Sequence, residues 1–342
     1  MTDIEVFLDD TPGEVRGIVA RNGLYQHLIV HRETDLAAHR LGAVSVGRIA
    51  RIDTAFRAAF VDLGGPGPMG FLPLSKTVRL TEGQAVEVEV AAEPREAKGP
   101  VLRVLGAGEG QPRLLSEGPT VREVLGTLAP GITPVTGIEA IRASLEAEEE
   151  ALGTVHAFPA FALDLAVQRT RALIAVDIDY AHLPGRDARK GRERANGEGL
   201  IQAARLIGLK GWAGLVAVDL VGTVFDPGAI SGMARSAFGG EATIGPVSRF
   251  GLLQLSLPWR RRPIDDALLD ASGRPSLASR AVDLTRRLRL ALLQDTASPR
   301  LRIRCSSVEA EAAGALVARL GLRASLIVDP SAMRGNTAVE QG

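Results

Sequence analysis

Short apolar runs recur along the chain, and two of them set its organisation. ALIAVDID (residues 172–179) and GLVAVDL (214–220) each carry an acid toward the carboxyl end. Between them lie a basic, glycine-containing loop and a segment with helical character. Two such runs flanking a helix predict a βαβ unit with parallel strands. A right-handed crossover lays those strands side by side or nearly so. Asp177 and Asp219 then emerge at one edge of the sheet, the edge where open α/β sheets bind ligands. Asp179, two residues past Asp177, points to the same side of its strand.

The remaining pattern fills in the other elements. Residues 4–31 read as strands, with Asn22-Gly23 between two apolar runs as a hairpin signal, and 34–41 as a connector. Residues 43–105 hold five short strands with glycine-rich turns, which suits a small closed barrel of the OB-fold kind. Residues 106–120 read as a linker, and 120–128 and 137–152 as helices. The segment 153–170 is apolar but follows no clear period. A helix is expected from Pro227, with proline in its first turn, and then two strands, EATIGPV and GLLQLSL, joined through Ser248-Arg249-Phe250-Gly251. Beyond residue 263 come a polar joint, DASGRPS, an arginine-rich amphipathic helix, and a strand–helix–strand module over 300–329. The last dozen residues are expected to fray.

Composition narrows the classes. The 342 residues suffice for two or three domains, and the formal net charge is zero, so any nucleic-acid site must be a local patch. A single cysteine, Cys305, rules out an internal disulfide and a cysteine-based zinc site. The five histidines show no metal-ligand spacing. With no signal pattern and no apolar run of membrane length, the expectation is a cytoplasmic protein without membrane contact.

Facing carboxylates repel one another unless a cation lies between them. Oxygen ligands without cysteine or histidine suit magnesium, or manganese in its place, so Asp177 and Asp219 are the candidate metal ligands with Asp179 beside them. The competing reading of each aspartate is a helix cap or a turn. The loop Pro184–Arg194 brings Arg186, Arg189, Lys190, Arg192 and Arg194 near the proposed acidic site, a field suited to a polyanion, or else a solvated surface loop. Asn196 and Glu198 are placed at the start of the next helix, where Asn196 either caps it or faces a phosphate. In the barrel segment, Phe60 and Phe71 either stack on bases or fill the core.

GRIARIDTAFRAAFVDLGGPGPMGFLPLSK is similar to the RNA-binding barrel of ribosomal protein S-one. GEVRGIVARNGLYQHLIVHR, EGQAVEVEVAAEPREAKG, LIAVDID, GLVAVDL, VSRFGLLQLS and LIVDPSAMRG occur in the order seen in the ribonuclease E/G family, which the chain resembles over most of its length. The resemblance implies an α+β, multidomain protein. Its parts would be a ribonuclease H-like hairpin portion (1–37), an S-one-type OB barrel (38–106), a shortened linker with helices (107–170), an α/β catalytic domain like that of DNase I (171–262) and a small α/β C-terminal module (263–342). It also implies an endoribonuclease acting on single-stranded RNA. Magnesium held by Asp177 and Asp219 would activate water for in-line attack, leaving 5′-phosphate and 3′-hydroxyl ends, with Asp179 near the scissile phosphate. Phe60, Phe71 and Lys98 would contact RNA, together with Arg186, Arg189, Lys190, Asn196 and Arg249.

Three departures qualify this. The Arg-Thr pair with which some family members sense a 5′-monophosphate has no counterpart in the short 106–165 stretch. The family's Cys-Pro-x-Cys zinc link falls on DALLDASGRP, so no zinc is expected and any oligomer is not zinc-linked. Gly222 stands where a further acid is common. The alternatives kept open are an RNA-binding protein that has lost catalysis and a metal-dependent nuclease acting on DNA.

Overall fold

A computed structural model describes residues 3–75, 79–95, 98–181, 188–222, 226–330 and 339–341, with backbone alone at 188 and 189. The chain is mixed α+β with several sheets, and it divides into two compact units. One comprises residues 1–148 and 262–342, the other Glu149–Arg261.

The first unit opens with an antiparallel meander of β1 (Ile4–Asp9), β2 (Glu14–Arg21) and β3 (Leu24–Arg32). Asn22 and Gly23 both take positive φ, at 50° and 75°, the left-handed pair that a tight hairpin turn requires. Then come β4 (Val44–Asp53), β5 (Ala58–Asp62), β6 (Gly70–Pro73), β7 (Ala85–Ala92), β8 (Val101–Ala107) and β9 (Arg113–Ser116). β4 pairs with β5, β5 with β6, β6 with β8, β8 with β7, and β7 with β4 again, so five strands close a ring, and β9 adds to β4. β7 shows why the ring closes around a core. Its alternation sends Val86, Val88, Val90 and Ala92 inward and leaves the intervening residues only partly covered. The stretch expected to be a linker thus contains a paired strand.

Helix α1 (Val121–Leu128) starts at a capping box, Thr120 with Glu123, and packs Val121, Val124 and Leu125 on the meander. Gly17 on β2 permits the approach: a Cβ there would lie 2.6 Å from Val121 Cγ1. Helix α2 (Ile138–Leu152) follows.

The second unit contains β10 (Val155–Phe158), β11 (Leu163–Arg169), β12 (Ile174–Tyr180), α3 (Ala188–Leu209), β13 (Gly214–Asp219), α4 (Pro227–Phe238), β14 (Thr243–Val247) and β15 (Leu252–Leu257). They form one six-stranded sheet in the order β10-β11-β12-β13-β15-β14. Only β12 and β13 run parallel, joined by α3 as the pattern predicted. The sheet reaches further upstream than residue 171, because LDLAVQR alternates cleanly, with Leu163, Leu165 and Val167 buried. Both helices lie on the same side of this sheet, in a core with Val176, Val216 and Leu253. Helix α3 begins at residue 188, within the stretch read as a loop, since arginine, lysine and glutamate are good helix formers.

The chain then returns to the first unit with α5 (Ile264–Leu268), α6 (Leu277–Gln294), β16 (Leu301–Cys305), α7 (Ser307–Ala318), β17 (Ala324–Val328) and β18 (Val339–Gln341). The tail does not fray throughout. β18 pairs antiparallel with β16, and Glu340 forms an ion pair with Arg304.

A buried ionic network ties α6 to the meander. Arg286, with no exposed surface, meets Asp9 at 2.6 Å and Glu14 at 2.9 Å. Glu14 also meets Arg16 at 2.6 Å and Arg32 at 2.8 Å. Burial by itself pushes both carboxyls up, but the guanidinium groups outweigh it and hold Asp9 and Glu14 below the usual carboxylate range.

Candidate functional site

In the second unit the pleat sorts every strand into two faces. Ile174, Val176 and Ile178 of β12 point into the helical layer, while Ala175, Asp177 and Asp179 stay exposed. On β13, Val216 and Val218 point inward and Asp219 stays exposed. The face away from the helices is open: Val155, Gln168, Leu215 and Gln254 are exposed on it as well. This half-covered state explains the short, interrupted apolar runs, since parallel strands buried on both faces read as nearly continuous hydrophobic stretches.

Asp177 and Asp219 are register partners on the parallel pair. Neighbouring strands lie about 4.8 Å apart, so the two side chains stand next to each other on the open face. Asp179 is the register partner of Asp164 on β11. Asp164, which sequence reasoning missed, completes a patch of four carboxylates. Its signal was present in the alternation of LDLAVQR, but it acquires meaning only through the pairing with β12. The Asp177 carboxyl is raised above its ordinary range by desolvation, followed by the charges of Asp179, Asp219 and Asp164. Among the described residues, no side-chain hydrogen bond or ion pair of Asp177, Asp179 or Asp219 is seen.

The donor set suits a small hard cation of modest protein coordination. Magnesium keeps several waters and takes one or two carboxylates. Asp177 and Asp219 supply two, and their mutual repulsion would be relieved by a positive charge. Among the described residues no three histidine, cysteine or acidic side chains gather tightly enough to hold a metal by themselves.

The neighbouring residues divide into several cases. Arg186 lies outside the described residues, and Arg189 falls in the first turn of α3 with its backbone alone described. Lys190 is exposed on the same turn. Arg192 lies over the segment after β13: a Cβ at Gly222 would be 2.9 Å from its Cδ, and Gly222 itself has φ +92°. Asn196 is neither a helix cap nor open to a phosphate. It lies inside α3, only 2% exposed, donating to the Val221 carbonyl at 3.2 Å and accepting from the Val221 N–H at 2.8 Å. It clamps the chain two residues after Asp219. Asn196→Ala is expected to cost about 1–3 kcal/mol, because it strands both Val221 groups. Urea denaturation of the two proteins measures this.

Arg249 is exposed in the β14–β15 turn. Since β15 runs antiparallel to β13, with Leu252 opposite Asp219, that turn stands at the acidic end of β13.

In the first unit, a second group of residues gathers on the barrel. Phe60 and Phe71 are register partners on β5 and β6, half-buried, with ring centroids 6.0 Å apart at 75°. Their strand neighbours Ala59, Val61 and Leu72 fill the core, so the rings belong to the outer side. The Arg51 guanidinium sits 4.5 Å over the Phe60 ring. Lys98 is exposed in the turn before β8, and that turn is adjacent to Phe71, whose N–H donates to the Pro100 carbonyl at 2.8 Å. Gly99 brings it close: a Cβ there would lie 1.9 Å from the Met69 carbonyl oxygen. Phe56, at the β4–β5 turn and 75% exposed, adds an aromatic that the sequence reading passed over.

No protein-family model matches this chain, and no curated protein matches it. No helix among the described residues is long and apolar enough to cross a membrane.

Proposed function

We propose that the protein is a divalent-metal-dependent endoribonuclease that binds single-stranded RNA through its barrel and hydrolyses internal phosphodiester bonds at the Asp177–Asp219 pair. The observation that carries this is the pairing of the two acids in register on parallel strands, on an uncovered sheet face, with Asp179 and Asp164 beside them. Magnesium, when bound, would lower the pKa of a water and neutralise charge on the phosphate. Asp177 and Asp219 would hold it, and Asp179 would accept a hydrogen bond from water beside the reacting phosphate. Arg249 and Lys190 would hold backbone phosphates, which positions RNA without reading its sequence.

The barrel's ring order supports an OB-fold reading. Numbering β4, β5, β6, β7 and β8 as strands one to five, the ring runs one-two-three-five-four, with strands three and five parallel. OB-folds bind nucleic acid on the face of strands two and three, where Phe60 and Phe71 lie. The Glu149–Arg261 unit is accordingly read as the DNase I-like catalytic part and the β1–β3 meander with α1 as the ribonuclease H-like part. A cytoplasmic RNA-processing role fits these readings.

The test is cleavage of an end-labelled single-stranded RNA with magnesium and with EDTA, comparing 5′-monophosphate, 5′-triphosphate and 5′-hydroxyl ends. Internal cuts that need magnesium and ignore the 5′ end are expected. The second reading is an RNA-binding protein without catalysis, acting through the barrel face that carries Phe60 and Phe71; tight binding with no cutting would select it. On either reading, Phe60→Ala and Phe71→Ala should each weaken RNA binding by about 1–3 kcal/mol. Fluorescence anisotropy with a labelled oligonucleotide measures that loss, and unchanged affinity would remove the rings from the interface.

A further inference from the structure

We infer that Phe250, with Arg249, forms a base-stacking platform beside the acidic patch, holding one nucleobase of a single-stranded RNA next to the bond to be cut. This rests on the endoribonuclease reading above and adds to it a residue that fixes where along the strand hydrolysis occurs.

Phe250 exposes 71% of its surface, although a large aromatic ring is costly to leave in water. It is not there through a loose loop. Ser248 Oγ accepts from the N–H groups of Phe250 at 3.3 Å and Leu252 at 3.2 Å. The Ser248 carbonyl accepts from Gly251 N–H at 3.0 Å, and Ser248 N–H donates to the Leu252 carbonyl at 2.9 Å. Gly251, at φ +83°, closes the turn in a conformation other residues avoid. The ring is therefore presented by a cross-braced turn. That turn is also tied to the site: the Gly251 carbonyl accepts from the N–H of Leu220, the residue directly after Asp219.

The chemistry of the pair fits a nucleotide. Arg249 holds its guanidinium 4.7 Å from the Phe250 ring centroid, and both side chains are exposed. An aromatic face stacks on any base, and an adjacent guanidinium serves the phosphate of the same or the next nucleotide. On a sheet face dominated by carboxylates, an RNA strand needs such a contact, because the acids repel its backbone until a cation intervenes. A peptide or lipid partner would call for a wider apolar surface than this single ring offers. The stack would stand at a set distance from Asp219, since Asp219 ends β13 and Phe250 lies in the turn leading into β15, the strand paired with β13.

The experiment uses the full chain, its Phe250→Ala and Phe250→Trp variants, and one end-labelled single-stranded RNA made as a series. Each member carries one abasic ribonucleotide, moved stepwise across the cleavage site. Affinity is read by anisotropy and cutting with magnesium. The parent is expected to show one position near the cut where loss of the base lowers kcat/KM about tenfold, a single stack's worth. Phe250→Ala should bind intact RNA about tenfold more weakly and lose sensitivity at that position only, while Phe250→Trp restores both. If the parent cuts and Phe250→Ala matches it in affinity and in its abasic profile, the platform is overturned and the nuclease reading survives. If no protein cuts, yet Phe250→Ala binds about tenfold more weakly and Phe250→Trp recovers, the platform stands and hydrolysis is overturned. If the parent binds no RNA, the platform falls.

Discussion

On the proposed function, Asp177→Asn is expected to abolish magnesium-dependent RNA cleavage while affinity for a single-stranded RNA oligonucleotide stays within about twofold of the parent. The same holds for Asp219→Asn. A carboxamide is nearly isosteric with the carboxylate but contributes no charge, and magnesium requires that charge from its few protein ligands. Losing several kcal/mol of transition-state stabilisation corresponds to a rate drop of about a thousandfold or more. Folding should not suffer. The Asp177 carboxyl is raised by desolvation and by three neighbouring acids, so its ionised form is disfavoured in the folded chain. A group whose folded pKa is raised this way withdraws stability as pH climbs through the unfolded value. Asp177→Asn is therefore expected to melt at the same temperature as the parent or slightly higher in EDTA at neutral pH, and, if magnesium binds as proposed, to lack the stabilisation that the ion would give the parent. Cleavage by both variants at the parent's rate would falsify the metal assignment.

Arg286→Met is expected to lower the stability of the first unit by about 3–5 kcal/mol at neutral pH. The change keeps most of the side-chain volume and removes the charge, leaving Asp9 and Glu14, both fully buried, without their shared partner. Arg16 and Arg32 still hold Glu14, whereas Asp9 is left to Thr11, at 2.7 Å, and to Arg289, at 3.3 Å. The penalty has a pH signature. Asp9 and Glu14 are held below their ordinary values of 3.8 and 4.5, so the network's contribution is full above the unfolded pKa values and declines as pH falls through the folded ones. In Arg286→Met the carboxyls protonate more readily, and the gap to the parent should narrow in acid. Urea midpoints at pH 7 and in acid measure both points; a variant as stable as the parent at pH 7 would mean the acids find new partners by repacking. Arg286→Lys retains charge but not the two-armed fork and should fall between the two.

Much of the site could be read along the chain because its logic is local. The Asn22-Gly23 turn, the β12–α3–β13 unit and the run of VSRFGLL into β15 all follow from patterns a few residues long. Two parts could not. Residues 153–170 carry strand alternation in LDLAVQR, but the turn chemistry around 159–162 interrupts it, with Ala162 at φ +54°, and so Asp164 stayed out of view. Asn196 looked like a cap or a phosphate contact because it stood at the expected start of a helix. Its partner is Val221, 25 residues away, a distance that no local pattern bridges.

The sequence by itself determined the Asn22-Gly23 hairpin, the alternation in most strands, and that acids close two parallel strands. Backbone propensity and the period of apolar residues act over one or two turns, and they carry that information unaided. The tertiary structure alone decided that the sheet is covered on one side, that β9 joins the barrel at β4, and that Asp9 and Glu14 meet Arg286 from the far end of the chain. Those outcomes depend on which surfaces find each other once local elements exist. A carboxylate's neighbours, and hence its charge state, are set by that meeting and not by its position in the sequence.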